Sequence, residues 1–172
     1  MTERIYVCPL SSVNVQLNDT GATHLISLLN SEIMIETPNL IKSENHLKLT
    51  MSDIIEPEDG RITPERQHIE HLLEFVKNWD QTTPLLIHCL AGISRSAAAT
   101  FITLCSVNSD LSEDLIAEAL RKASPTAHPN RLLIKHADHL LGRNGRMIKA
   151  IENIGSPEFA SEGIPFSVPA NL

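Results

Sequence analysis

Aromatic residues are scarce in this chain: Tyr6, Phe75, Trp79, Phe101, Phe159 and Phe166 make up 3% of it. A core built around stacked rings is therefore excluded, and packing has to rest on Leu, Ile and Ala. Cysteine is equally sparse. Cys8, Cys89 and Cys105 are too few for a disulfide framework, and they fit a reducing cytoplasm, the expected location. No apolar run approaches the roughly 18 residues a membrane span requires, and no signal peptide is expected at the start. The chain also lacks excess positive charge. A net charge of −7 argues against a broad nucleic-acid or anionic-lipid surface, so neither nucleic acid nor membrane is an expected partner. A small cationic pocket for a single anion is still compatible with that balance.

What the chain has is 172 residues with 42% hydrophobic content, enough for one sizeable core. Short apolar or alternating runs near 5, 25, 48 and 86 read as strands, and Val13 to Leu17 fits strand or helix. Thr63-Pro64 reads as a helix start, with Ile69, Leu72, Leu73 and Val76 as its apolar stripe. Further helices are expected over Ser94 to Val107, from Ser112 to about Lys122, and from Pro129 or Asn130 to Leu141, ended by Gly142 and Gly145. This interleaving predicts an α/β fold with a central, mostly parallel sheet of four or five strands flanked by helices. Residues 1–146 are assigned to one domain with this fold. Residues 147–172 form a C-terminal tail, either a packed arm or partly disordered, with a short helix over 147–153.

The informative stretch is "LLIHCLAGISRSAAAT", Leu85 to Thr100. A buried strand ends at Cys89 and a helix begins near Ser94, which leaves Leu90, Ala91, Gly92 and Ile93 as a tight turn. Gly92 supplies the backbone freedom that turn needs. Successive N–H groups over Leu90 to Ser94, together with the helix N-terminus, make a nest for an oxyanion, and the Arg95 fork reaches over it. Cys89 at its centre shares the positive potential, which favours a nucleophilic thiolate. Ser96 or Ser94 is placed to donate to that sulfur, and His88, pointing away, orders the loop. The resulting chemistry is attack by sulfur on a phosphoryl group.

The segment "HCLAGISRS" (88–96) resembles the signature loop of cysteine-dependent protein phosphatases, and it is most similar to the small dual-specificity and tyrosine-phosphatase-like members. The resemblance extends in overall plan from Arg4 to Gly145. It implies a phosphotyrosine-phosphatase-like fold, a cysteinyl-phosphate intermediate, no cofactor or metal, and a separate aspartate that protonates the leaving oxygen. A positioned acid of that kind is typically worth ~10²–10⁴-fold. Asp53, directly after the strand "HLKLTM", is the preferred acid, and Asp59 in the polar loop "DIIEPEDGRITP" is the alternative. The resemblance also brings the loop "TAHPNR" toward the signature, with Asn130 as a supporting residue. Arg61 is a secondary candidate for meeting substrate beside the acid loop, and Arg121 and Arg131 for widening the positive pocket.

The pairs His68/His71 and His136/His139, the second beside Asp138, lack zinc spacing. The expected substrate is a phosphorylated protein, most simply at phosphotyrosine with phosphoserine or phosphothreonine also accepted. The loop has no lysine of the kind that goes with inositol phosphates, which weakens that alternative, while a small phosphomonoester would also be accepted by the same loop. A phosphate-recognising regulatory module without turnover is the remaining reading, and the intact Cys89, Arg95 and Ser96 favour the enzyme.

Overall fold

The computed structural model describes residues 3–172. Five strands, β1 (Arg4–Pro9), β2 (His24–Leu29), β3 (His46–Thr50), β4 (Leu85–Cys89) and β5 (Phe166–Pro169), form one sheet in the order β3-β2-β4-β1-β5. All neighbours are parallel except β5, which runs antiparallel to β1. Every residue of β4 is buried, as a central strand covered on both faces requires.

Side-chain alternation then decides which face each residue meets. Leu85, Ile87 and Cys89 join the larger core with Ile5, Val7, Ile26 and Leu28. That face is covered by α2 (Arg66–Asn78), α3 (Arg95–Val107), α4 (Glu113–Ala123), α5 (Arg131–Leu140) and α6 (Arg146–Asn153). Leu86 points the other way, toward Val13 and Leu17 of α1 (Val13–Thr20) and toward Ile41. Helix α3 is buried from Arg95 through Cys105. The small side chains of Ala97, Ala98 and Ala99 let its first turns lie close to the sheet, and Phe101 fills the space beyond them.

One open local reading is decided and two local expectations need correction. Val13 to Leu17, ambiguous in sequence, is helical. Helix α2 starts at Arg66 rather than at Thr63-Pro64, because Glu65 and His68 form a reciprocal cap. The Glu65 side chain accepts from the His68 N–H, and the Glu65 N–H donates to His68 Nδ1 at 2.9 Å. His68 Nε2 then donates to the Thr50 carbonyl at 3.0 Å, a contact between α2 and β3 that no local pattern announces. Gly145 does not end α5. With φ of 84° it precedes α6, whose first amides are capped by Asp138: Gly145 N–H at 2.7 Å and Met147 N–H at 2.9 Å.

Residues 147–172 carry most of α6, an extended stretch and β5. No helix among the described residues is long and apolar enough to cross a membrane.

Candidate active site

The parallel strands β2, β3 and β4 end on the same edge of the sheet, where ligands of open α/β sheets bind. Cys89 is the last residue of β4, and Arg95 is the first of α3. The turn between them is shaped by what its carbonyls do. Leu90 O accepts from Leu10 N–H at 3.1 Å, Ala91 O from Gly163 N–H at 2.8 Å, Ile93 O from His128 N–H at 2.9 Å, and Ser94 O from Asn130 N–H at 3.2 Å. A trans peptide points its C=O and its N–H in opposite directions. Fastening these four carbonyls outward therefore turns the N–H groups of Ala91, Gly92, Ser94 and Arg95 toward the inside. Gly92 N–H accordingly donates to Cys89 Sγ at 3.2 Å.

Gly92 is required twice over. Its φ is +71°, and a Cβ there would stand 2.7 Å from Pro9 N and 2.9 Å from the Cys8 carbonyl carbon.

Cys89 is 2% exposed, and its sulfur lies 3.2 Å from Ser96 Oγ. A hydroxyl there stabilises a sulfur anion. His88 points to the opposite face, where its Nε2 lies 2.6 Å from Ser27 Oγ. Ser27 Oγ also lies 2.8 Å from His46 Nε2, and His46 Nδ1 is 2.9 Å from Thr37 Oγ1. The Ser27 hydroxyl has one proton, so one imidazole accepts it and the other donates. Burial, the largest cause in each case, pushes both His88 and His46 down to about 4, and the two rings are neutral at physiological pH.

Arg95 is 3% exposed. Its Nη1 donates to Asn30 Oδ1 at 2.8 Å and to the Met51 carbonyl at 2.7 Å, just beyond the ends of β2 and β3. Its Nε–H is buried with no acceptor among the described residues. Leaving a charged donor so costs about 1–3 kcal/mol or more. An anion seated over Cys89 would remove that cost, and the chemistry of the donor set therefore fits phosphate.

A cavity of about 400 Å³ lies above the sulfur, with Asn30, Asp53, Arg61 and Cys89 among its lining residues, and Ala160 and Ser161 from the C-terminal stretch. Asp53 Oδ1 accepts from Ser94 Oγ at 2.8 Å and from Asn130 Nδ2 at 2.9 Å. Asn130 also caps α5, its Oδ1 accepting from Leu132 and Leu133 N–H at 3.0 and 3.1 Å. One asparagine thus couples the aspartate loop, the signature loop and a helix start. The aspartate loop is closed at its base by Ser52 N–H donating to Ile62 O at 2.8 Å.

The structure brings Cys89, Arg95, Asp53, Ser96, Ser94 and Asn130 together, and Asp59 does not line the cavity. Leu90 is half-exposed and lines the cavity together with Ala91 and Ile93. Two further placements differ from expectation. The Ser94 hydroxyl is engaged by Asp53, and Arg121 does not widen the pocket. Its Nη1 instead holds the Ser124, Pro125 and Ala127 carbonyls, fixing the loop that braces Ile93. Arg61 does line the cavity and pairs with Glu58 at 3.1 Å. Sequence reasoning missed Asn30, Ser27, Gly163, Ala160 and Ser161. Only Asn30 left a signal, a polar residue directly after a buried strand.

A family profile described as protein-tyrosine phosphatase matches residues 19–123. The chain belongs to the protein-tyrosine phosphatase family. A relative from Dictyostelium discoideum, MAP kinase phosphatase with leucine-rich repeats protein 2, is 28% identical over 114 residues, 66% of this chain. The match spans only 15% of that protein's length. Among solved protein-tyrosine phosphatase folds, the human tyrosine phosphatase-like serine/threonine/tyrosine-interacting protein superposes with a TM-score of 0.64. It shares 19% identity, over 81% of this chain and 92% of that one. Human DUSP28 gives 0.62 at 18% identity, covering 81% and 89%. At such identities the likeness is one of fold. The family match contains Asp53, Cys89, Arg95 and Ser96, and it stops short of Asn130 and the 160–163 stretch.

Proposed function

We propose that the chain hydrolyses phosphomonoesters through a cysteinyl-phosphate intermediate, acting on phosphotyrosine with phosphoserine and phosphothreonine also accepted. The observation that carries this reading is the Cys89 sulfur, held by Gly92 N–H and Ser96 Oγ beneath a cavity that Asp53 also lines.

The phosphoryl oxygens sit among the inward N–H groups of the loop and the free edge of Arg95, with Nη1 anchored so that the fork stays in place. Cys89 Sγ attacks phosphorus, an S–P bond forms, and the P–O bond to the leaving group breaks. Asp53 gives its proton to the leaving oxygen. Ser94 and Asn130 hold Oδ1, which leaves Oδ2 to carry that proton. In the second step water attacks phosphorus and loses a proton to the Asp53 carboxylate. The S–P bond breaks, and Ser96 Oγ stabilises the departing thiolate. Inorganic phosphate is released.

The lining residues near the sulfur offer no lysine, and Asp53 faces the cavity as well as Arg61. This supports a protein phosphomonoester over a highly charged inositol phosphate. The nucleophile needs its thiol reduced, and all three cysteines are free, which supports a cytoplasmic setting.

The test is a burst measurement with acid trapping of phosphocysteine. Wild type should show a burst and a trapped phosphothioester. Cys89→Ser should lose turnover by at least about 10⁴-fold and keep phosphate binding. Turnover that survives in Cys89→Ser would sink the mechanism. A wild-type protein that binds phosphopeptide without turnover would favour the regulatory reading.

A further inference from the structure

One wall of the cavity over Cys89 does not come from the signature loop or from the aspartate loop. Ala160 and Ser161 belong to the extended stretch between α6 and β5, far along the chain from Cys89. That stretch is fastened at three points. Glu158 N–H donates to the Pro125 carbonyl at 3.0 Å, Ser11 Oγ donates to Glu162 Oε1 at 3.0 Å, and Gly163 N–H donates to the Ala91 carbonyl at 2.8 Å. Beyond it, β5 closes the sheet against β1.

The third fastening acts on the reacting centre. The Ala91 carbonyl and the Gly92 N–H belong to one rigid peptide plane. Gly163 holds its oxygen end, and the Cys89 sulfur receives its hydrogen end at 3.2 Å. The approach is backbone on backbone. A Cβ at position 163 would lie 2.9 Å from the Gly92 carbonyl oxygen and 3.3 Å from that of Ala91. Neither oxygen can give way without moving the cradle. Ser161, exposed on the cavity side, makes no side-chain hydrogen bond among the described residues, so its hydroxyl is free to meet a ligand.

We propose that Ala160–Gly163 is a specificity-determining strap. Ala160 and Ser161 form the wall that meets the part of the substrate beyond its phosphate, and Gly163 is a positioning residue that holds the Ala91–Gly92 peptide toward Cys89. The proposal rests on reading the Cys89 site as a phosphomonoester site. It predicts that two kinds of damage separate along four residues. Bulk at Ser161 obstructs the body of the substrate and leaves the phosphate cradle intact. A methyl group at Gly163 twists the cradle and weakens every phosphate ligand alike.

The experiment measures calorimetric Kd values for inorganic phosphate and for a phosphotyrosyl peptide, with the full chain in a Cys89→Ser background so that nothing turns over. Adding Ser161→Trp should raise the peptide Kd at least tenfold and keep the phosphate Kd within twofold. Adding Gly163→Ala should weaken both ligands by a common factor of fivefold or more. Equal effects of Ser161→Trp on both ligands, or none on the peptide, overturn the wall. A phosphate Kd within twofold after Gly163→Ala overturns the positioning role. If circular dichroism shows Gly163→Ala to be unfolded, Ser11→Ala loosens the strap from outside and should raise the phosphate Kd two- to threefold, and no rise overturns the role. Wild-type turnover is scored separately. Its absence defeats the phosphatase reading, whereas turnover with unmoved Kd values defeats the strap alone.

Discussion

The signature loop and the aspartate loop face each other across one cavity and are held in opposite ways. The first is fixed through its backbone. Four carbonyls are tied by N–H groups from Leu10, Gly163, His128 and Asn130, and Gly92 is packed where no side chain fits. The second is a mostly exposed polar loop, closed at Ser52 and Ile62, and its aspartate is held by two side chains, Ser94 and Asn130. On the proposed mechanism the difference follows from what each would have to do. A phosphate cradle works by pre-aimed dipoles and loses its value if they reorient during the reaction. A proton donor has to follow leaving groups of different size, and a loop pinned by side chains can adjust.

Substitution should separate the two regions. Arg95→Lys is expected to be more damaging than either change on the aspartate side, about 10³-fold in kcat/KM on every substrate. It removes the fork over the phosphate and the bonds to Asn30 and Met51 together, and initial rates on aryl and alkyl phosphates check this. Asp53→Asn should cost roughly 10²-fold with alkyl phosphates and much less with a good aryl leaving group, since proton donation matters in proportion to leaving-group basicity. Asn130→Ala should follow the same leaving-group pattern at about tenfold. It should also lower stability by about 0.5–2 kcal/mol through loss of the α5 cap, read from denaturant melts. A uniform loss across leaving groups in either loop variant would mean that the two regions are not separable.

The smallest effect concerns stability rather than rate. His88 and His46 sit at about 4 in the folded protein against an ordinary value of 6.5. The unfolded chain therefore binds more protons between those values. Stability is fully present above about pH 6.5 and falls as pH drops toward 4, and replacing His46 with a neutral residue should flatten that slope. Thermal melts across pH 4–7 measure it.

What could be read from the sequence depended on whether a feature is local. Residues 88–96 are consecutive, so the strand, the turn, the required Gly92 and the arginine at the helix start could all be inferred together. Placing the aspartate needed one further step, the preference for a strand end, and Asp53 does line the cavity where Asp59 does not. The α2 start failed as a local inference because His68 caps Glu65 while also reaching the Thr50 carbonyl of another strand. Asn30 and the Met51 carbonyl could not be assigned to Arg95 without knowing that β2 and β3 end side by side. Gly163 was the least legible of all, because the reason for it is a contact with a backbone more than seventy positions earlier.

That contact also orders events in time. Helices α2 to α6 and the four parallel strands are complete before residue 163 is synthesised, yet the Ala91 carbonyl has no strap to receive until then. Contacts between distant positions close late because the intervening chain must first be ordered. A chain interrupted after α6 would possess every residue of the signature with one peptide of its cradle unsecured. The order of synthesis thus places the signature in the chain well before the segment that holds its Ala91–Gly92 peptide.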